Sequence, residues 1–232
     1  MTGAFALPEG LRLVLFDLDG TLVDSAPDIA VAANLLMARH GLSHHPLDAV
    51  RGMIGDGIET LVKRAFAANG IGLDAAELAE RYREMLTVYG AHLVKLTTLR
   101  QGAAEAVRAA RSAGLATGVV TNKSEGFSRT ILENFGLLAE LDLVIGGDSG
   151  FARKPDPDML LEACRKVGCS PVSAVLVGDS AADLSAARAA VMPCILVQGG
   201  YSATPVDASC ADVVIAEPGD LLALLSGLER AA

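Results

Sequence analysis

The stretch LRLVLFDLDGTLVDS, residues 11–25, sets the interpretation of the whole chain. Its apolar residues 13–16 end at two aspartates, Asp17 and Asp19, which have only Leu18 between them. A short apolar run of branched and aromatic residues that ends near a glycine predicts a strand buried on both faces. Residues i and i+2 of an extended segment share a face about 6.5–7 Å apart, so we expect both carboxylates to reach one point.

Further apolar runs of the same kind alternate with helical patterns along the chain. The apolar runs occupy residues 116–122, 141–148, 173–179 and 193–200, and the helical patterns occupy residues 101–114, 124–136, 157–168 and 180–190. Strands that alternate with helices indicate a parallel sheet with right-handed crossovers. The sequence therefore predicts an α/β fold with a doubly wound, Rossmann-like parallel sheet.

One interval between predicted strands is much longer than the others. Residues 18–115 separate the first apolar run from the second, and amphipathic helical patterns fill residues 27–41, 57–70 and 74–95. No strand is predicted within this insert. We therefore predict a discontinuous catalytic core, residues 1–22 and 98–232, and an α-helical cap, residues 23–97, inserted after the first strand.

Composition and charge exclude several classes of protein. The 232-residue chain has a formal net charge of −9 and is 51% hydrophobic, and no cluster of Lys and Arg interrupts its acidity, which disfavours nucleic acid and anionic membranes as partners. No stretch approaches the ~20 apolar residues of a membrane span, and no signal-peptide pattern begins the chain. The four cysteines lack C-x-x-C spacing. We expect a cytoplasmic protein that is either a monomer or a homodimer.

Polar side chains follow the ends of the predicted strands. They are Asp17 and Asp19, Thr121 and Asn122, Lys154, and Asp179 and Asp183. The carboxyl ends of parallel strands face one crevice, which is the usual ligand site of such sheets. Carboxylates this close repel one another unless a cation holds them, and Mg²⁺ takes one or two carboxylates together with a phosphate oxygen. The pattern therefore predicts a magnesium site and a small phosphate ester as substrate.

Four motifs carry a resemblance to a known family. FDLDGT (16–21), VVTN (119–122), RKPDP (153–157) and VGDSAAD (177–183) resemble, in this order, the motifs of the haloacid dehalogenase superfamily. The likeness spans nearly the whole chain. The stretches DSAPD, RGMIGDGIETLVKRAF, TNKSEGFSR and GGYS are similar, more narrowly, to those of the phosphoglycolate phosphatases.

The resemblance implies catalytic and substrate-binding roles for particular residues. Asp17 would be the nucleophile that forms an aspartyl-phosphate. Asp19 would protonate the leaving alcohol and then deprotonate the water that hydrolyses this intermediate. Thr121, Asn122 and Lys154 would bind the substrate, with Thr121 on a phosphoryl oxygen and Lys154 offsetting negative charge.

The resemblance also implies the ligands of a magnesium ion. Mg²⁺ would bind the carboxylates of Asp17 and Asp179 and the backbone carbonyl of Asp19. Asp183 would act indirectly, through a water or by holding Lys154.

The predicted function is Mg²⁺-dependent phosphomonoester hydrolysis, most narrowly the conversion of 2-phosphoglycolate to glycolate and phosphate. Another small substrate, such as a sugar phosphate or pyrophosphate, and a β-phosphoglucomutase-like phosphomutase are the alternatives. Mutases of this family often carry an apolar residue where Thr21 follows the DxDG of this chain, so Thr21 favours hydrolysis. A cap at this position can close over the site and favour small substrates.

Several polar residues have a structural interpretation beside the functional one. Ser180 and Asp183 form an S-x-x-D capping box at the start of a predicted helix, and this role is compatible with one near the metal. Ser25 and Asp28 form a similar box, and for them we prefer capping alone. Arg51 either binds a substrate carboxylate from the cap or is a solvated surface residue.

Overall fold

The computed structural model describes residues 7–201 and 206–226, and its centre is a parallel sheet. In chain order the strands are β1 (Leu13–Phe16), β2 (Val23–Asp24), β3 (Thr98–Leu99), β4 (Ala116–Val120), β5 (Leu143–Ile145), β6 (Ala174–Gly178), β7 (Cys194–Val197) and β8 (Val213–Ile215). Six of them form one sheet in the order β5-β4-β1-β6-β7-β8, with every neighbouring pair parallel. The predicted doubly wound α/β sheet is confirmed, and β8 is a further edge strand that the sequence did not reveal.

The helices cover both faces of the sheet and fill the insert. They are α1 (Ala26–Arg39), α2 (Leu47–Arg51), α3 (Ile58–Ala68), α4 (Ala75–Gly90), α5 (Ala103–Ser112), α6 (Glu125–Asn134), α7 (Asp158–Val167), α8 (Ala181–Ala189) and α9 (Leu221–Leu225). Helices α1 to α4 form the predicted helical insert after β1. Among the described helices, none is long and apolar enough to cross a membrane.

Strand β1 lies between β4 and β6 and is buried on both faces. Leu13 and Leu15 belong to the apolar core on one side of the sheet, and Val14 and Phe16 belong to the core on the other side. All four residues have no solvent-exposed surface. Burial of each such side chain contributes roughly 1.5–3 kcal/mol, so the direction in which β1 ends is strongly fixed. The pairing of β1 with β6 continues at Asp17, whose backbone N–H donates to the carbonyl of Val177 at 2.9 Å.

The two chain segments that connect core and insert run side by side. Strands β2 and β3 pair antiparallel as a two-residue ribbon, with Val23 opposite Leu99 and Asp24 opposite Thr98. No strand was predicted inside the insert, and this pairing is too short to leave an alternating pattern in the sequence. The predicted boundaries at residues 22–23 and 97–98 fall in this ribbon, and we propose it as the hinge between core and cap.

The predicted capping box of Ser25 and Asp28 is wrong. Ser25 makes no side-chain capping bond to α1. The fully buried carboxylate of Asp28 instead accepts the backbone N–H groups of Leu96 and Thr97, at 2.8–3.0 Å, and the Thr97 hydroxyl, at 2.8 Å. A carboxylate with no access to water needs such donors. Asp28 therefore ties the start of α1 to the second connecting segment instead of capping its own helix.

Candidate active site

The carboxyl ends of three neighbouring strands bring the predicted polar residues together. Asp17 follows β1, Thr121 and Asn122 follow β4, and Asp179 follows β6. One carboxylate oxygen from each of Asp17, Asp179 and Asp183 lies within 4.8 Å of the others. The sheet therefore brings residues that are far apart in the chain into one acidic cluster at this edge.

The two carboxylate oxygens of Asp17 differ, because only Oδ1 contacts hydrogen-bonding or charged groups among the described residues. Its Oδ1 accepts the backbone N–H of Leu18, at 2.7 Å, and lies 3.1 Å from the Nζ of Lys154. No residue in the described ranges donates a hydrogen bond to its Oδ2. Burial raises the pKa of Asp17 to about 6, and the Lys154 ammonium acts in the opposite direction. The fixed carboxylate thus presents one oxygen to whatever binds beside it.

Lys154 is a buried cation at the centre of the cluster. Its Nζ lies 2.9 Å from the carbonyl oxygen of Val120, 2.6 Å from Oδ1 of Asp183 and 3.1 Å from Oδ1 of Asp17. An ammonium has three donors, and all three find acceptors here. Burial alone would lower the pKa of Lys154, but the carboxylates of Asp17 and Asp183 raise it above its ordinary value. The side chain therefore remains charged and partly neutralises the cluster.

Asp183 has both of the roles that the sequence left open to it, as a cap and as a holder of Lys154. The capping box with Ser180 at the start of α8 is present. Oδ2 of Asp183 accepts the backbone N–H of Ser180, at 3.0 Å, while Oδ1 accepts the ammonium of Lys154. Because both oxygens already have donors, the contacts favour an indirect role of Asp183 over direct metal coordination.

Asp179 lies in the most confined position of the cluster. Its carboxylate accepts the Thr21 hydroxyl, at 2.5 Å, and the backbone N–H of Tyr201, at 2.6 Å. Gly20 has φ +87°, and a Cβ there would lie 2.4 Å from Oδ2 of Asp179, so this turn requires glycine. Burial raises the pKa of Asp179 well above its usual range, and the carboxylate of Asp17 adds to the effect.

These residues fit a divalent metal ion. Asp17, Asp179 and Asp183 are buried or nearly so, and the Lys154 ammonium is too little to balance three carboxylates. The unbonded Oδ2 of Asp17 and the confined carboxylate of Asp179 are oxygen donors of the kind that Mg²⁺ prefers. The backbone carbonyl of Asp19 follows directly on the same turn. A bound cation would favour the charged form of Asp179 and so oppose the effects of burial and of Asp17 on its pKa.

Replacing Asp179 by asparagine is expected to stabilise the metal-free protein at pH 8. The folded protein holds a proton on Asp179 more tightly than the unfolded chain, so this group costs stability as the pH rises and costs nothing below about pH 4. The asparagine can still accept from Tyr201 and donate to the oxygen of Thr21. We expect Tm to rise by a few degrees at pH 8, with the gain shrinking towards pH 4.

Added Mg²⁺ provides the control for the Asp179→Asn experiment. It should raise the Tm of the wild-type protein, because a ligand that binds only the folded state stabilises it. It should leave Asp179→Asn unchanged. A variant less stable than wild type at pH 8 would contradict the raised pKa of Asp179. A variant stabilised by Mg²⁺ as much as wild type would contradict the placement of Asp179 in a metal site. Thermal denaturation followed by circular dichroism measures both effects.

Asp19 is held by a lysine that sequence reasoning missed. Both carboxylate oxygens of Asp19 lie 2.8 Å from the Nζ of Lys123, and Oδ1 also accepts the Ser25 hydroxyl at 2.5 Å. Lys123 is buried, and its Nζ lies 4.8 Å from the centre of the Tyr89 ring. Burial alone would lower the pKa of Lys123, but Asp19 raises it above its ordinary value. The one signal in the sequence was its position, directly after the polar pair that ends β4.

Asn122 links the core to the cap. Its Nδ2 donates to the carbonyl of Gly55 in the cap and to the carbonyl of Lys154 in the core, both at 2.9 Å. Thr121, which is 2% exposed, accepts the backbone N–H of Lys123 on its hydroxyl oxygen at 3.3 Å. The amide nitrogen of Asn122 is therefore used to join the two parts of the chain at the edge of the site.

Arg51 lies apart from the carboxylate cluster. Its guanidinium pairs with Asp24, at 3.3 Å, and with Asp48, at 3.4 Å, and its side chain is 39% exposed. Arg51 contributes nothing to the lining of the cavity above Asp17 in the described part of the chain. A role in substrate binding would require this residue to leave both of its partners.

A cavity separates the carboxylates from the cap. The core contributes Asp17, Asp19, Thr121, Asn122 and Lys123, and the side chains from the cap are Ile29, Ile54, Ile58, Leu61, Met85 and Tyr89. The centres of water molecules can occupy about 30 Å³ of this space. A single water needs roughly 10–15 Å³ by this measure, so the space holds two or three water molecules between core and cap. The wall opposite the acidic core is almost entirely apolar.

Known proteins are similar to this chain in both sequence and fold. Residues 14–197 match the family model of the haloacid dehalogenase-like hydrolases. A phosphoglycolate phosphatase of Cereibacter sphaeroides is 42% identical over 193 residues, 83% of this chain and 88% of that protein. A crystal structure of a predicted phosphoglycolate phosphatase from Haemophilus somnus superposes with a TM-score of 0.88 at 29% identity, covering 93% of this chain and 98% of that one.

A further relative was crystallised with a sugar bisphosphate. It is a mutant of CbbY from Rhodobacter sphaeroides in complex with xylulose-(1,5)-bisphosphate, with a TM-score of 0.79 at 27% identity, covering 93% of this chain and 99% of that one. The chain therefore belongs to the haloacid dehalogenase-like hydrolases and is a phosphatase of that type. The predicted family and class of enzyme are confirmed.

Proposed function

We propose that this phosphatase is Mg²⁺-dependent and hydrolyses 2-phosphoglycolate to glycolate and phosphate. The observation that carries the proposal is the position of Asp17, which belongs to a carboxylate cluster, lines the cavity and has an Oδ2 that accepts no hydrogen bond from the described residues. An oxygen nucleophile, a metal site and a cavity beside them are the requirements of this reaction. The name of the Cereibacter sphaeroides relative supports the same substrate.

The first chemical step would transfer the phosphoryl group to Asp17. Oδ2 of Asp17 attacks phosphorus, and the bond from phosphorus to the glycolate oxygen breaks. Asp19 has to be protonated for this step, so its carboxylate must take up a proton and loosen its pairing with Lys123. It gives this proton to the glycolate oxygen, so glycolate leaves as an alcohol. Lys154 keeps its ion pair with Oδ1 of Asp17, which aligns the carboxylate for attack. Bound Mg²⁺ supplies positive charge to the phosphoryl oxygens.

The second step would release phosphate and restore both aspartates. Asp19, now a carboxylate, takes a proton from a water that attacks phosphorus, and the bond between phosphorus and Asp17 breaks. The Thr121 hydroxyl donates to a phosphoryl oxygen in both steps, from a position where its oxygen contacts the backbone of Lys123. Asp19 ends the cycle protonated, as it began.

A sugar phosphate is the second candidate substrate. The complex of CbbY with xylulose-(1,5)-bisphosphate favours it, because that protein shares the fold over nearly its whole length. The lining of the cavity favours phosphoglycolate, since the hydroxyl groups and second phosphate of a five-carbon bisphosphate would find few polar partners on its apolar wall. We therefore place the smaller substrate first.

A panel of phosphate esters is expected to rank 2-phosphoglycolate above the alternatives. The purified protein should release phosphate from it in the presence of Mg²⁺ and should lose activity when a chelator removes the metal. We expect kcat/KM at least about tenfold higher than for pentose or hexose phosphates and pyrophosphate, because the apolar wall offers their hydroxyl and phosphate groups few partners. Equal or faster turnover of a sugar phosphate or pyrophosphate would reject the substrate, and transfer of phosphate to a sugar would indicate a mutase.

A further inference from the structure

Two residues that line the same cavity each have a buried polar atom without a hydrogen-bond partner in the described part of the chain. These atoms are the hydroxyl oxygen of Tyr89 and Oδ1 of Asn122. Buried polar groups are normally paired, so an unpaired one is a candidate contact for a ligand. The Tyr89 hydroxyl can donate, whereas Oδ1 of Asn122 can only accept. An anionic group on a substrate would therefore bind on the Tyr89 side of the cavity.

The ring of Tyr89 is firmly positioned. Tyr89 comes from α4 in the cap, has no exposed surface, and meets the Phe127 ring edge-on with a centroid distance of 5.5 Å. Its other neighbour is the ammonium of Lys123, 4.8 Å from the ring centre. Asp19 accepts from Lys123 through two oxygens, which leaves one of the three ammonium donors for another acceptor.

Within the described residues, the cap contributes no cationic side chain to this wall. Its contributions are apolar apart from Tyr89 and the chain around Gly55 and Gly57, which leads into α3. No side chain caps the first turn of α3, so its backbone N–H groups add positive potential to this side of the cavity. The Tyr89 hydroxyl and the Lys123 ammonium are thus the side-chain donors available to an anionic group of the substrate other than its phosphate.

We propose that the Tyr89 hydroxyl, with Lys123 beside it, binds the carboxylate of the substrate and so selects a small phosphorylated acid. This inference rests on the proposed function, because it takes phosphoglycolate as the substrate. It assigns selectivity to a cap residue that the sequence analysis did not single out. Tyr89 would contact the carboxylate end of the substrate, while Asp17 and Asp19 act on the phosphate end.

The test compares Tyr89→Phe with wild type on 2-phosphoglycolate and on 2-hydroxyethyl phosphate, an analogue of similar size that lacks the carboxylate. The analogue keeps the charged phosphate and has a neutral CH2OH group in place of the carboxylate. Removing the Tyr89 hydroxyl should raise KM for phosphoglycolate at least about tenfold, the loss typical of a hydrogen bond to a charged group, with little change in kcat. KM for the analogue and inhibition by inorganic phosphate should not change. Tyr82→Phe, the same substitution on α4 at a residue outside the cavity lining, is the matched control.

Three results would overturn the inference. An unchanged KM for phosphoglycolate would show that the hydroxyl does not bind it. An equal rise in KM for both substrates would show that Tyr89 only positions Lys123 and does not bind the carboxylate. A wild-type enzyme that does not prefer phosphoglycolate over the analogue would reject the proposed function as well, and this result is distinguishable because it involves no variant.

Two further measurements support the comparison. Tyr89→Phe should match or exceed the wild-type Tm, since removal of an unpaired buried hydroxyl leaves no partner stranded. In the wild-type enzyme, glycolate should inhibit at least about tenfold more strongly than ethylene glycol, which lacks the carboxylate. Equal inhibition by the two compounds would contradict the subsite without recourse to a variant.

Discussion

Asp17→Asn is expected to lower phosphate release to less than about a thousandth of the wild-type rate, while the protein remains folded. The asparagine has nearly the same shape, but its amide nitrogen cannot attack phosphorus. Its oxygen can still accept the backbone N–H of Leu18. Lys154 retains the carbonyl of Val120 and the carboxylate of Asp183 as acceptors. Release of phosphate from 2-phosphoglycolate with Mg²⁺ measures the loss, and circular dichroism checks the fold.

The stability of Asp17→Asn separates a catalytic loss from a folding loss. Burial raises the pKa of Asp17 to about 6, so at pH 8 its negative charge costs the folded, metal-free protein stability. The variant should therefore unfold at a temperature no lower than wild type at pH 8. Asp48→Asn, at a side chain that is 93% exposed, is the matched control and should keep wild-type activity. Wild-type turnover by Asp17→Asn would remove Asp17 as the nucleophile.

The sequence predicted the features of the fold and site that depend on local pattern. The buried run at residues 13–16 and its repetition along the chain predicted the sheet, because a strand buried on both faces leaves an unbroken apolar run. The placement of Asp17, Lys154 and Asp179 at one edge followed from the rule that parallel strands end on the same side. The three-residue strand β8 carried too short a run for this reasoning.

The sequence could not predict contacts that distant segments decide. Ser25 and Asp28 fit a capping pattern, yet Asp28 binds Thr97, 69 residues further along the chain. A lysine is normally expected at the surface, yet Lys123 is buried against Asp19, 104 residues away. In both cases the partner of a buried charge is a residue that the tertiary fold brings close, and not a neighbour in the sequence. Polar residues beside a strand end thus have to be placed by the fold before they are assigned a role.

Asp19→Asn is expected to reduce kcat for 2-phosphoglycolate by about 10²- to 10⁴-fold, the contribution of a positioned acid–base group. The asparagine keeps one acceptor for Lys123 but loses the charge that pairs with this buried ammonium. The variant should therefore also be less stable than wild type, because breaking a buried ion pair strands a charge. Thermal denaturation establishes the temperature range in which the kinetics can be compared.

Acetyl phosphate distinguishes a proton-transfer role of Asp19 from a general loss of structure. Its leaving group, acetate, needs no proton, so Asp17 can still take the phosphoryl group in Asp19→Asn. The following hydrolysis lacks its base, and the phosphorylated enzyme should accumulate. We expect a rapid burst of about one acetate per active site and slow turnover after it, whereas Asp17→Asn should give no burst. Equal losses on both substrates without a burst would show that Asp19 maintains the site without transferring the proton.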